Sequence, residues 1–231
     1  MDHRLICKYR DLNPLINKKY NELLEIDCFG IKTSYSIAND GAGTLFKEGF
    51  IKTLQNLFPN RKFNKCFEWC SGPGFLGYST LGAGIADKLV LGDVHESALL
   101  EAKITAIKNN IEHKVNFYHS NNWDDIPLSE QFDLIIGDPP MYRYVHYQHE
   151  YFNYDKRLYL DEDWLIHKNF FKNVGKYLVD DGSIVIVENI YGSGLNTFAD
   201  MIENSGLKIV DHFYQDKNPN SFLWYMHIKK L

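Results

Sequence analysis

The chain has 231 residues, of which 45% are hydrophobic and 24% are charged, and its formal net charge is −5 at pH 7. This length fits one large domain, or one domain with a short extension. No apolar run approaches the roughly 18 residues that suggest a membrane-spanning helix, and the polar start of the chain lacks the apolar middle of a secretory signal. We therefore expect a cytoplasmic protein without a membrane partner. The acidic balance also argues against a partner that is bound mainly through phosphates.

Residues 1–62 form a mostly polar lead-in to the rest of the chain. Pro14 suits the first turn of a helix, and the apolar positions that follow it continue a helical pattern: Leu15, Ile16, Tyr20, Leu23 and Leu24. We expect this helical lead-in to pack on the ligand site of a single domain formed by residues 63–231.

From residue 66 onward, short apolar runs alternate with segments of helical periodicity. The runs predicted as strands are Cys66–Cys70, Lys88–Asp93, Val115–His119, Phe132–Asp138, Ser183–Glu188, Leu207–Phe213 and Phe222–Ile228. The helices predicted between them are Phe75–Gly84, Glu96–Asn110, Asp163–Leu178 and Gly194–Asn204. Several runs lack polar alternation, as parallel strands buried on both faces do. The pattern predicts an open α/β sheet whose ligand lies beyond the carboxyl ends of the strands.

The first two predicted strands end in residues suited to a nucleoside ligand. Gly72 and Gly74 allow a tight turn and a close approach of the backbone, directly before a helix N-terminus. Asp93 ends the second strand about 20 residues beyond the glycine-rich turn, where a carboxylate can bind both hydroxyls of a ribose. NAD would fit the same pattern, and Asp93 could also cap the helix that begins at Glu96.

The next two strand ends suggest an adenine edge and an acceptor site. Asn121 and Asn122 offer donors and acceptors to a base, and Trp123 could pack on its ring. The fourth strand ends in Asp138-Pro139-Pro140-Met141-Tyr142. The Asp138 carboxylate and the Pro139 carbonyl are two acceptors that could hold an amino group by its hydrogens. A Pro-Pro turn without chemistry is the alternative.

In the order and spacing of these motifs, residues 40–231 resemble the class I S-adenosylmethionine-dependent methyltransferases of the small-domain type, in the group with an Asn/Asp-Pro-Pro-aromatic motif. The resemblance implies a Rossmann-like α/β fold and S-adenosyl-L-methionine as cofactor. Its sheet would be mostly parallel and seven-stranded, with helices on both faces and an antiparallel last strand. The residues and the resemblance together give an expected cofactor site of Thr44, Glu68, Cys70, Gly72, Gly74, Asp93, Val94, Asn121, Asn122, Trp123 and Asp138. The expected catalytic residues are Asp138, Pro139 and Tyr142.

Three positions depart from the pattern of this group. Cys70 stands where the first glycine of the turn is usual, and Asn121 replaces the more usual Asp. Met141 occupies the aromatic position of the motif, and Tyr142, one place later, could supply the ring. The segment from Gly41 to Phe46 resembles the turn that lies against the methionine part of the cofactor.

These features predict an N-methyltransferase that acts on a small-molecule or peptide substrate. The alternatives are N-methylation of a protein glutamine or of a nucleobase, an NAD-dependent oxidoreductase, and a non-catalytic methyltransferase-like binding subunit. The acidic net charge and the absence of a basic tail make nucleic acid the less favoured substrate. The tyrosine-rich residues 143–160 form either a substrate lid or an inserted helix that packs on the body. His167 falls on a predicted helix, without a pattern that assigns its face.

The cysteines and histidines do not form a recognisable metal site. Cys66 and Cys70 have no matching pair downstream, and the order of His146, His149 and Glu150 is not that of a known zinc helix. We expect the cysteines to be reduced, buried thiols, and we predict no metal.

Overall fold

The computed structural model describes residues 22–144, 155–215 and 221–231. An N-terminal hairpin, β1 (Leu24–Cys28) and β2 (Ile31–Tyr35), precedes helix α1 (Gly43–Leu57). The strands that follow are β3 (Phe63–Trp69), β4 (Ala86–Asp93), β5 (Val115–His119), β6 (Phe132–Gly137), β7 (Leu178–Asn189), β8 (Leu207–Tyr214) and β9 (Leu223–Lys230). The helices between them are α2 (Phe75–Gly82), α3 (Glu96–Lys108), α4 (Leu165–Val174) and α5 (Leu195–Glu203).

Strands β3 to β9 form a seven-stranded sheet in the order β5-β4-β3-β6-β7-β9-β8. The pairs from β5 to β7 are parallel, whereas β9 runs antiparallel to both β7 and β8. Side chains of one strand point alternately to the two faces of a sheet. Along β4, Leu89 and Leu91 pack in a cluster with α1, α2 and α3, while Val90 packs in a cluster with α4 and α5. The predicted Rossmann-like fold, with helices on both faces and an antiparallel last strand, is confirmed.

Helix α4 is shorter than the predicted Asp163–Leu178. Asp163 and Trp164 have φ values of 52° and 58°, a left-handed conformation in which an α-helix cannot continue, so α4 begins at Leu165. At the other end, Leu178 already pairs with Phe132 of β6. The periodicity of the apolar residues continued past both limits and therefore overestimated the length of the helix.

The expectation of a helical lead-in is wrong for residues 24–35, which form the β1–β2 hairpin. Phe29 and Gly30 connect the two strands with φ values of 54° and 89°, as a two-residue hairpin turn requires. Asp27 fixes the turn by accepting the Gly30 N–H at 3.1 Å. The helix expected after Pro14 lies outside the described residues, apart from Leu23 and Leu24 at its end.

No helix within the described ranges combines the length and the apolar character that crossing a bilayer would take.

Helix α1 is held to the sheet by Phe50, which is fully buried and whose ring lies 5.8 Å from that of Tyr225. Phe50→Ala should lower the free energy of unfolding by about 3–5 kcal/mol, because it leaves a cavity at this contact. Urea unfolding at neutral pH measures the loss. Leu45→Ala, on the same helix at 74% exposure, is the matched control and should change stability by less than about 0.5 kcal/mol. Equal stabilities for the two variants would contradict this packing.

Candidate functional site

The pairing of the central strands brings several functional loops to one edge of the sheet. Trp69, near the end of β3, pairs with Gly92 of β4 on one side and with Gly137 of β6 on the other. Because these strands are parallel and end in register, the residues that follow them lie at the same edge. The glycine-rich turn, Asp93 and Asp138 are therefore neighbours, as the sequence predicted.

The turn after β3 uses three residues in the left-handed conformation. Cys70, Gly72 and Gly74 have φ values of 54°, 50° and 89°. Cys70 thus adopts a backbone conformation that favours glycine, at the steric cost that a side chain brings there. Gly74 is required for a second reason, because a Cβ at this position would lie 2.8 Å from Leu91 Cδ1.

Asp93 joins two of the strand-end loops. One carboxylate oxygen accepts the Gly72 N–H at 2.7 Å, and the other accepts the His95 N–H at 2.7 Å. The N-cap of α3 is His95, so Asp93 is not the helix cap that the alternative interpretation predicted. Each carboxylate oxygen still has acceptor capacity for a ligand after one hydrogen bond. Asp93 is 9% exposed and lines the cavity described below.

Glu68 lies behind the turn, where it holds the start of α2. Its Oε2 accepts the Gly77 N–H at 2.8 Å, and the residue is 2% exposed. Burial raises the pKa of the Glu68 carboxyl well above its usual range, an effect only partly offset by the backbone N–H groups of Gly77 and Leu76.

A cavity of ≈ 370 Å³ opens between these loops. Its lining includes eight of the predicted site residues: Glu68, Cys70, Gly72, Asp93, Val94, Asn121, Asn122 and Asp138. The sequence did not single out the other polar or charged residues that line it: Asn39, Ser71, His95, Ser120 and Arg157. Asn39 and Arg157 come from segments outside the strand ends, so no strand-end pattern could have identified them.

Three predicted cofactor contacts, Trp123, Gly74 and Thr44, lie outside this lining. Trp123 belongs to the core: its ring stacks on Tyr177 at 4.3 Å, and its Nε1 donates to the Phe170 carbonyl at 3.1 Å. Gly74, with a φ of 89°, is the N-cap residue of α2. Thr44 instead donates from its hydroxyl to Asp40 Oδ2 at 2.7 Å.

The two asparagines after β5 differ in what they contact. Asn122 is buried with a φ of 54°, and its side-chain oxygen accepts the Trp69 indole N–H at 2.8 Å. Asn121 is exposed and lines the cavity. Asn121 is therefore the better placed of the two to bind a base with its side chain.

A second cavity of ≈ 70 Å³ adjoins the first, with which it shares Gly41, Asp138 and Leu158. Its lining contains Asp40, Phe46, Asp138, Pro139, Met141, Tyr142, Tyr159, Asn189 and Phe222. All three predicted catalytic residues are among them, and the Tyr142 hydroxyl accepts from Asn189 Nδ2 at 3.2 Å. Asp138 lines both cavities and thus marks where they meet.

The carboxyl of Asp138 lies in an environment that disfavours its charge. Burial raises its pKa well above the usual range, and the negative charges of Glu188 and Asp40 raise it further. A carboxylate in this position is stabilised when a ligand brings hydrogen-bond donors to it.

No group of three potential metal ligands occurs in the part of the chain that the structure describes. His146, His149, Glu150 and most of the expected lid, residues 145–154, lie outside it.

A family model described as "Methyltransferase small domain" matches residues 50–206. Over 175 residues the chain is 27% identical to a protein named "Bifunctional methyltransferase" from Rickettsia typhi, in an alignment that covers 72% of this chain and 32% of that protein. A protein of the same name from Rickettsia prowazekii is 26% identical over 172 residues, with the same coverage. The chain thus spans about a third of the length of the curated relatives it matches.

Among solved structures, a TehB-like SAM-dependent methyltransferase from Corynebacterium glutamicum has a TM-score of 0.56 at 17% identity, covering 79% of this chain and 88% of that one. A 16S rRNA N2 G1207 methyltransferase from T. thermophilus, in complex with AdoMet and guanosine, has a TM-score of 0.61 at 14% identity, covering 91% and 50%. At these identities the likeness concerns the fold alone.

The contact between Glu68 and α2 leaves no room for a side chain at Gly77. A Cβ there would lie 2.5 Å from Glu68 Oε2 and 2.8 Å from Leu89 Cδ1. Gly77→Ala should therefore lower the free energy of unfolding by about 1–3 kcal/mol, although alanine favours a helix over glycine by about 1 kcal/mol.

Urea unfolding checks this expectation, with Gly175→Ala as the control. A Cβ at Gly175 has its nearest neighbour, the Ser205 carbonyl oxygen, at 4.0 Å, so that variant should be as stable as the wild type. A Gly77→Ala protein of unchanged stability would show that Glu68 does not lie against the start of α2.

Proposed function

Because the chain belongs to the methyltransferase small domain family, we propose that it is an N-methyltransferase, which moves a methyl group to a nitrogen atom of its acceptor. Its cofactor is S-adenosyl-L-methionine, which supplies, when bound, a methyl group already activated by the sulfonium. The chain itself has to hold the cofactor and orient the acceptor nitrogen. The observation that carries the proposal is the position of Asp138, which lines both the larger and the smaller cavity.

The residues of the larger cavity fit this cofactor. We propose that Asp93 binds the two ribose hydroxyls, since each of its oxygens accepts only one backbone hydrogen in the structure. The left-handed backbone at Gly72 supports a close approach of the ligand. Asn121 offers a donor and an acceptor to the adenine edge. The remaining proposed contacts are Glu68, Cys70, Val94 and Asn122, all in the lining.

We assign acceptor binding to the smaller cavity. The Asp138 carboxylate and the Pro139 carbonyl can each accept one hydrogen of an amino group, and the ring of Tyr142 forms part of the wall. A nitrogen held by its hydrogens directs its lone pair away from both oxygens, so the lone pair stays available for the methyl group. This orientation is the chain's main contribution to the rate.

We propose a small-molecule or peptide acceptor. The cavity of ≈ 70 Å³ suits a terminal amino or amide group. The two carboxylates in its lining, from Asp40 and Asp138, oppose an anionic group at the point of transfer. We also propose that the lead-in, of which the structure describes residues 22–62, packs on the cofactor site of a domain of residues 63–231, since Asn39 and Gly41 line the larger cavity.

A nucleobase amine is the second candidate, and a feature beside the acceptor turn favours it. The Arg143 guanidinium lies 5.0 Å from the centre of the Tyr144 ring, and both side chains are exposed. They line an open cavity of ≈ 500 Å³ together with Trp164 and Tyr191. Arginine and exposed aromatic rings are the groups on which single-stranded nucleic acid stacks.

Asp93→Asn should weaken cofactor binding, because a charged acceptor for the ribose hydroxyls is lost. We expect the Kd of S-adenosylhomocysteine to rise about 10- to 100-fold, as the loss of a hydrogen bond to a charged group predicts. Isothermal titration measures it. Asp87→Asn, on the same strand but paired with Lys62 at the surface, is the control and should bind as the wild type does. Unchanged affinity for Asp93→Asn would rule out its ribose role.

Asp138→Ala should separate methyl transfer from cofactor binding. We expect transfer to fall about 100- to 1,000-fold, the usual cost of losing a well-placed polar group at the reacting centre, with little change in the Kd of S-adenosylhomocysteine. In the wild type, the rate should rise with pH as Asp138, whose pKa is raised, becomes ionised. A variant that retains full transfer would contradict the assigned orientation.

The acceptor class is tested by incubating the protein and methyl-labelled cofactor with small-molecule, protein and RNA fractions of a cell extract. Label in the first two fractions, located on nitrogen by mass spectrometry, supports the proposal. Label only in RNA supports the second candidate. Label on oxygen or carbon contradicts the N-directed reaction, and cofactor binding without any labelling supports the non-catalytic alternative.

A further inference from the structure

A buried histidine connects two buried carboxylates behind the acceptor cavity. His167 lies on α4, and its Nδ1 is 2.6 Å from Asp161 Oδ2 while its Nε2 is 2.8 Å from Glu188 Oε1. The side chains of all three residues are 0% exposed. None of them lines either cavity, so none has a direct contact with the proposed ligands.

This geometry indicates a charged imidazole. Ionised carboxylate oxygens only accept hydrogen bonds, and a neutral imidazole has one N–H, so two such contacts require both nitrogens to be protonated. Burial by itself lowers the pKa of His167. The charge of Glu188 and the hydrogen bond to Asp161 outweigh it and raise the pKa to about 9. Four aromatic rings contact the imidazole, those of Trp69, Trp164, Phe171 and Phe198. Two further titratable groups lie within electrostatic reach of the cluster: in addition to burial, the charge of Glu188 raises the pKa of Asp138, and the charge of Asp161 raises the pKa of Cys70.

The first carboxylate of this cluster is attached to the acceptor turn through the backbone. The Asp161 N–H donates to the Tyr142 carbonyl at 2.8 Å, and the Tyr142 N–H donates to the Tyr159 carbonyl at 2.9 Å. The Asp161 carboxylate also accepts the N–H groups of Ile166 and His167, at 2.8 and 3.1 Å. The segment that holds Tyr142 is thus fixed to the start of α4.

The second carboxylate reaches the same tyrosine from the sheet. Glu188 lies near the end of β7, and its Oε2 accepts the Ser193 hydroxyl at 2.8 Å. The next residue, Asn189, donates from Nδ2 to the Tyr142 hydroxyl at 3.2 Å. His167 therefore joins the two supports of Tyr142, one through its backbone and the other through its side chain.

We propose that His167 is a positioning residue, a buried cation that fixes the turn from Asp138 to Tyr142 by joining Asp161 to Glu188. The inference rests on the proposed function in so far as this turn holds the acceptor. The stabilisation from the cation is complete below the unfolded-state pKa of histidine, about 6.5, and is lost as the pH rises through about 9. The turn should therefore loosen at alkaline pH while the cofactor cavity is retained.

The first test measures the charge and the turn directly, without an acceptor. In ¹⁵N NMR spectra of the full chain, both His167 ring nitrogens should be protonated at pH 7 and should titrate near pH 9. Above that pH, the amides of Tyr142 and Asp161 should exchange their hydrogens faster. A neutral His167 at pH 7, with the proton on a carboxylate, would overturn the proposal.

Two variants separate positioning from a merely structural role. Glu188→Gln removes one of the charges that hold the proton, so the pH at which the Tyr142 amide loosens should fall below that of the wild type. His167→Gln should speed this exchange at pH 7 and remove its alkaline transition, because glutamine carries no titratable charge and has both N–H groups on one nitrogen, whereas the carboxylates face two different ring nitrogens. His227→Gln is the matched control, and it should leave the exchange of the Tyr142 amide as in the wild type. His227 is half-buried, contacts Ser183, and has a pKa lowered to about 4.

Methyl transfer gives the final readout. His167→Gln should lower kcat about 10- to 100-fold, the effect of a misplaced reacting group, with the Kd of S-adenosylhomocysteine nearly unchanged. Equal loss of kcat and cofactor affinity, or variants with an unperturbed Tyr142 amide, would overturn the proposal. If the wild type transfers no methyl group while the charge and exchange results hold, the proposed function fails and the positioning of the turn by His167 stands.

Discussion

The whole site depends on the in-register parallel pairing of β3 with β4 and β6. Trp69 pairs with both Gly92 and Gly137, so the chain leaves all three strands at the same level of the sheet. A slip of one residue would turn every side chain of a strand to the opposite face. Both hydrophobic clusters would then be lost. Burial of these apolar faces therefore stabilises the strand register that aligns the loops.

At this edge of the sheet, Asp93 and Glu68 each have a structural contact as well as a proposed ligand. Asp93 links the glycine-rich turn to the start of α3, and Glu68 holds the start of α2. Such contacts orient the carboxylates before any ligand arrives, which reduces the cost of ordering them on binding. Asp138 differs, since it is placed by its strand and the prolines after it, and its environment favours a ligand with hydrogen-bond donors.

The strand ends could be predicted from the sequence because the information is local: an apolar run, then a glycine, Asp93, or Asp138 before two prolines. What the sequence could not provide depends on contacts between distant segments. Trp123 follows a strand just as Asn121 does, but only the packing of Tyr177 and Phe170 shows that its ring belongs to the core. Asn39 and Arg157 reach the cavity from outside the strand ends. The face of His167 was likewise undetermined, because a helical pattern does not reveal which carboxylates lie opposite it.

The proposed function requires that the ligand cavity between the glycine turn and Asp93 meets the acceptor cavity at Asp138. A crystal structure of the full chain with S-adenosylhomocysteine would show whether the two cavities are used in this way. We expect both ribose hydroxyls on the Asp93 carboxylate, the base beside Asn121 and the sulfur directed toward Asp138. A ligand bound elsewhere, or one whose sulfur points away from Asp138, would contradict this arrangement.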